Sequence, residues 1–73
     1  MKYTTPQIIA MMLDWKSWRE DEGYLTNGRV KMFYGIRAYE CVDFYPKVLW
    51  DCNALSYFLT RPFWWYLNRK VRS

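Results

Sequence analysis

Histidine is missing from this chain of 73 residues, and cysteine, glycine and proline are scarce, at two, three and three. Each scarcity removes a class of function. Without histidine the usual general base near neutral pH is gone, and so is the commonest metal ligand. No serine or cysteine stands beside a plausible activating partner, so nucleophilic catalysis has no candidate. Cys41 and Cys52 fit no metal-ligand spacing. The chain shows no signal-peptide pattern, so both are expected as free thiols. Three scattered glycines make no phosphate-cradling loop. No apolar run approaches the roughly 20 residues that span a bilayer. An aromatic tail with flanking cations can sit in a membrane interface, but here it continues a helix-forming stretch, and no membrane partner is expected. No heptad repeat signals oligomerisation, so a virion-type structural role lacks support and a monomer is expected.

Aromatic rings are abundant, at 22% of the residues. A single domain spanning 1–73 has little core to rely on, and large rings compensate by burying roughly 150–250 Å² each. Six rings fall within the ten residues Tyr57 to Tyr66, and a basic tail follows them. The formal net charge is +4. It is unevenly spread. Residues 1–28 carry three bases against four acids, a net −1, while residues 29–73 carry eight bases against three acids, a net +5. Such asymmetry favours an acidic partner surface or a phosphate backbone. The plainer reading is that cations near a helix C-terminus complement its dipole.

Thr4-Thr5-Pro6 starts a helix at about Pro6, with a threonine capping the first free amides and proline welcome at the first helical position. Ile8, Met11, Met12, Trp15 and Trp18, widened by Ile9 and Leu13, recur at helical spacing to about Asp21, and Gly23 ends the run. Lys16 and Glu20 form an i, i+4 pair on its outer side. Asp14, Glu20, Asp21 and Glu22 read as solvated acids at that helix end, since paired-carboxylate catalysis needs groups opposed across a cleft. Thr26-Asn27-Gly28 is turn chemistry. Arg29–Tyr34 reads as a short second helix ended by Gly35. Tyr39–Trp50 is rich in strand formers and reads as a hairpin turning between Asp43 and Lys47. Asp51 caps a helix over Cys52–Leu59, with Leu55, Phe58 and Leu59 on its buried side. Thr60-Arg61-Pro62 breaks it, and a last helix runs from Phe63 to about Arg72. The expected fold class is α+β, a small single domain with an N-terminal helix, a two-stranded antiparallel hairpin and two C-terminal helices. A hairpin between helices, with Lys47-Val48-Leu49-Trp50-Asp51 leading into an amphipathic helix, is similar to winged-helix and excisionase-like proteins.

Two binding modes compete. For nucleic acid, Arg29, Lys31, Arg37, Lys47, Arg61, Arg69, Lys70 and Arg72 offer phosphate partners and the rings offer stacking. No helix presents the array of polar side chains that reads base edges. For a protein partner, the four consecutive rings Phe63, Trp64, Trp65 and Tyr66 decide the geometry. A helix turns by about 100° per residue, so they cannot all point inward. If Phe63, Tyr66 and Leu67 pack inside, Trp64 or Trp65 points out. The expected partner-binding set is Arg61, Trp64, Trp65, Arg69, Lys70 and Arg72. The competing arrangement encloses Trp15, Trp18, Trp64 and Trp65 together in one core.

The overall build resembles the small RNA polymerase-binding transcription regulators of lytic Xanthomonas phages. The segments carrying the likeness are Thr5-Pro6-Gln7-Ile8-Ile9 and Arg61-Pro62-Phe63-Trp64-Trp65-Tyr66. The resemblance implies a non-enzymatic protein without cofactor or metal. It implies binding to the large subunits of bacterial RNA polymerase in the host cytoplasm, inhibition of promoter initiation and antitermination. It assigns no individual residue roles. The alternative is a DNA-binding, winged-helix or excisionase-like phage regulator.

Overall fold

The structure is a computed structural model that describes residues 2–33, 37–40, 48–50 and 52–73. Helix α1 spans Thr5–Leu13. Its start is a capping box: the Gln7 amide donates to Thr4 Oγ1 at 3.4 Å, and the Thr4 amide donates to Gln7 Oε1 at 2.8 Å. Two orphan donors of the first turn are thereby satisfied. The helix ends at Asp14, well short of the expected Asp21, and a 3₁₀ turn over Trp15–Ser17 follows. The Ser17 hydroxyl donates to Asp14 Oδ2 at 2.8 Å, the short polar bond by which Asp and Ser compete with helix propagation.

The chain then becomes a four-stranded antiparallel meander: β1 (Arg19–Asp21), β2 (Tyr24–Thr26), β3 (Val30–Phe33) and β4 (Arg37–Glu40), in the order β1-β2-β3-β4. Gly23 does not stop a helix. It is the second residue of the β1–β2 turn, where Glu22 and Gly23 have φ of 48° and 86° and Asp21 faces Tyr24. Two positive φ values in a two-residue loop match the right-handed twist of the flanking strands. The Thr26-Asn27-Gly28 turn is as expected. Gly28 has φ of 90°, and Asn27 Oδ1 accepts from the Arg29 and Val30 amides, both at 2.9 Å. The expected helix over Arg29–Tyr34 is instead β3. Val30 and Met32 alternate inward with Lys31 and Phe33 outward, a period of two. Lys16 and Glu20 therefore share no helix face. Cys41, Gly35 and the hairpin turn expected between Asp43 and Lys47 lie outside the described residues.

Residues 48–50 return along β4. The Leu49 amide donates to the Ala38 carbonyl at 2.8 Å, and the Leu49 carbonyl accepts from the Tyr3 amide. Helix α2 then runs unbroken over Ala54–Arg72. Its cap is Asn53 and not Asp51: the Ser56 amide donates to Asn53 Oδ1 at 2.9 Å, and the Asn53 amide to Ser56 Oγ at 2.8 Å. The fold is therefore α+β, as the sequence indicates. The meander places three strands before β4, and a single C-terminal helix replaces the helix pair of the winged-helix expectation; the expected Tyr39–Trp50 hairpin is described only at its ends, where Leu49 bonds back to Ala38.

Ile8 and Met12 from α1, Leu25, Val30, Met32 and Ala38 from the sheet, Trp64 and Leu67 from α2, and Trp18 and Trp50 from the connections make one core. Both connecting tryptophans bury their rings with the indole N–H satisfied. Trp18 donates to the Met11 carbonyl at 2.8 Å and Trp50 to Thr5 Oγ1 at 3.0 Å. A buried indole left without an acceptor would forfeit roughly 1–3 kcal/mol.

Candidate interaction face on the C-terminal helix

Pro62 sits inside α2. A proline within a helix removes one amide donor and crowds the carbonyl four residues back, here that of Phe58. The break expected at Thr60-Arg61-Pro62 does not form, and the helix continues with the side chains of Thr60 and Arg61 folded back on its preceding turn. Thr60 Oγ1 donates to the Ser56 carbonyl at 2.7 Å and to the Tyr57 carbonyl at 3.2 Å, and Arg61 Nε donates to the Tyr57 carbonyl at 3.1 Å. Pro62 itself is exposed. Solvent-facing carbonyls tilt outward most readily, so that side best accommodates the lost bond.

Continuity of the helix decides which residues share a face. Advancing by 100° per residue, Leu55, Phe58, Leu59, Pro62, Trp65 and Tyr66 fall within an arc of about 120°. All six are exposed, with Leu55 at 77%, Phe58 at 71%, Leu59 at 55% and Trp65 at 66%. The spacing i, i+3, i+4, i+7, i+10, i+11 is that of a helix seam. Reading the proline as a break concealed this pattern. Leu55, Phe58 and Leu59, expected on the buried side of a short helix, face solvent.

The opposite side of the same turns is small and polar. Ser56 and Thr60 are buried. Their hydroxyls bond within the helix, Ser56 Oγ to the Asn53 carbonyl at 3.2 Å and Thr60 Oγ1 as described, so neither is orphaned. The first half of α2 is thus inverted, with its hydroxyls inside and its large apolar side chains outside. Its rotation is set by the second half, where Trp64 and Leu67 enter the core and Phe63 and Val71 pack against it.

The expected partner-binding residues separate accordingly. Trp65 points outward. Trp64 is only 7% exposed and belongs to the core, which corrects its place in the set. Trp18 is buried with it and Trp15 packs against the same cluster, so only Trp65 of the four departs from the fully enclosed arrangement. Arg61 lies over the Tyr57 ring at 4.1 Å. Lys70 lies between the rings of Trp15 and Tyr66, at 5.5 and 5.8 Å. Arg69 is exposed at the C-terminal end of the seam. Arg72 is held by Glu20 across to β1 at 3.1 Å. Sequence reasoning missed Leu55, Phe58, Leu59, Pro62 and Tyr66.

The nucleic-acid set is divided by the two-layer fold. Lys31 lies on the outer sheet face, its Nζ 4.8 Å from the Tyr24 ring, where Tyr24 and Phe33 pack at 4.9 Å between centroids. The cations of α2 lie on the helical layer. Lys47 is outside the described residues, as is the Arg37 side chain. The acids also scatter: Asp14 ends α1, Asp21 accepts from the Tyr24 hydroxyl at 3.2 Å, and Glu22 sits in the turn. Among the described residues no three His, Cys, Asp or Glu are grouped to hold a metal ion, and Cys52 is a free thiol. No described helix is long and apolar enough to cross a membrane. Comparison with protein-family models, curated proteins and solved structures gives no match to this chain.

Proposed function

We propose that the protein is a non-enzymatic regulator that acts by docking its α2 face onto another protein. The observation carrying this reading is the inverted first half of α2. Fully burying a leucine or phenylalanine contributes about 1.5–3 kcal/mol, and the fold forgoes that at Leu55, Phe58 and Leu59 together. Contiguous apolar surface of this kind usually marks an interaction site. Trp65, with Arg69 and Lys70 close by on the helix, has the composition of a binding hot spot with a charged rim.

The resemblance to phage transcription regulators supplies the partner: the large subunits of bacterial RNA polymerase, met in the host cytoplasm. Polymerase is a large acidic enzyme, and the basic half of this chain would be steered toward acidic patches on it. Occupying a surface of about 800 Å² per partner suffices to block promoter initiation or to restrain a moving element, with no catalytic group. Antitermination would follow from the same occupancy on elongating enzyme.

The test is retention of purified bacterial polymerase by the immobilised protein, with Trp65→Ala and Phe58→Ala compared. Retention by the parent and its loss in both variants, at unchanged melting temperature, is the expected result. Tight and steeply salt-dependent binding of free duplex DNA, with polymerase not retained, would favour the DNA-binding alternative.

A further inference from the structure

We infer that the seam from Leu55 to Tyr66 receives an acidic amphipathic helix of the partner protein, its apolar stripe against the seam and its carboxylates over Arg69 and Lys70. The inference rests on the docking role of α2 and specifies the chemistry of what docks.

Area, shape and charge support it. Six exposed side chains, three of them aromatic rings, present roughly 700 Å² of largely apolar surface, above the 300–600 Å² of the largest patch on a typical monomer and close to one partner's share of a standard interface. The seam is about 17 Å long at 1.5 Å per residue, the length of three turns of a second helix. A helix face has its backbone donors and acceptors paired internally, so it cannot receive an added strand. Its apolar anchors at i, i+3, i+4 and i+7 suit a helical partner. The charge then selects which helix. Helix α2 carries Arg61, Arg69, Lys70 and Arg72 and no acid. A second copy of α2 would bring four more cations and no carboxylate, in either orientation. An acidic helix meets Arg69 and Lys70 with opposite charge.

Two synthetic peptides test the proposal. Both carry leucine at i, i+3, i+4, i+7, i+10 and i+11 of an 18-residue helix; one has glutamate and the other lysine flanking the stripe. Isothermal calorimetry and the indole N–H resonance of Trp65 report binding to the whole chain. The glutamate peptide is expected to saturate the protein, shift the Trp65 resonance and bind at least roughly tenfold more tightly than the lysine peptide. Phe58→Arg should weaken it by a similar factor without unfolding the protein, and the paired change Arg69→Glu, Lys70→Glu should reverse the preference. Equal binding of the two peptides, or binding of neither, would overturn the inference. So would self-association in sedimentation that Phe58→Arg abolishes, since a second copy would then be the occupant. Loss of polymerase retention in Phe58→Arg, with neither peptide bound by the parent, would remove the inference and leave the regulator reading intact. Capture of the glutamate peptide by a protein that does not retain polymerase would do the reverse.

Discussion

Adjacent tryptophans on α2 have opposite fates. Trp64 is in the core and Trp65 in solvent, so the same substitution at each should give different results. Trp64→Ala removes a large buried ring and is expected to lower stability by about 3–5 kcal/mol, measured by urea unfolding. Trp65→Ala is expected to stay within about 0.5 kcal/mol of the parent while abolishing partner binding. Equal destabilisation by the two would mean that Trp65 is also enclosed. That the two rings must diverge was legible from their adjacency alone. Which one faces inward was not, because it depends on the angle at which α2 meets α1 and the sheet. Arg72 illustrates the same limit. Its charge was visible, but its pairing with Glu20 joins residues far apart in sequence. An exposed pair of this kind contributes about 0–1 kcal/mol.

Helix α2 shows that local propensity can mislead where tertiary packing holds both halves of a helix in one line. Proline costs about 3 kcal/mol in a helix interior relative to alanine, reason enough to expect a break at Pro62. Trp64 and Leu67 anchor the turns after Pro62 in the core, Pro62 faces solvent, and the helix continues. Pro62→Ala should therefore stabilise the protein by about 1–2 kcal/mol, a rise of roughly 5–15 °C in melting temperature for a domain of this size. An unchanged or lower melting temperature would mean that the proline's local effect is already fully offset. The capping residues are simpler. Thr4→Ala and Asn53→Ala each remove one half of a capping box and should each cost about 1 kcal/mol in thermal unfolding. That a threonine caps the first helix was legible from Thr4-Thr5-Pro6; that it is Thr4, one residue earlier than proline at the first position implies, is shown by its reciprocal bonds with Gln7. The second was displaced by two residues: Asn53 has Ser56 at the third helical position to complete the box, where Asp51 would have had Ala54.

At the level of the whole molecule, two helices cover one face of a four-stranded sheet and the cations divide between the layers. The basic residues of α2 should then act on association more than on stability. Charge reversal at Arg69 and Lys70 is expected to slow association with an acidic partner at low salt, with the melting temperature unchanged. An association rate indifferent to that reversal and to salt would remove electrostatic steering from the account. The short strands β1 to β3 were the least legible part of the fold. Each has three or four residues, and in β3 the outward Phe33 is as apolar as the inward Val30 and Met32, so residue type alone does not show the alternation. Strand pairing between such segments is a tertiary event, decided when Leu25, Met32 and Ala38 come into register over the helices.

Composition and spacing alone determined that this is a small α+β protein rich in rings, with a capped N-terminal helix and a turn at Asn27-Gly28. Those properties are local or additive, set by residue type and by neighbours within a few positions. Tertiary structure alone decided that α2 continues through Pro62 and that its first half is turned inside out. Rotation of a helix about its axis depends on which side chains fill the core, and Trp64 with Leu67 fills it here, leaving Leu55, Phe58, Leu59 and Trp65 on the outside.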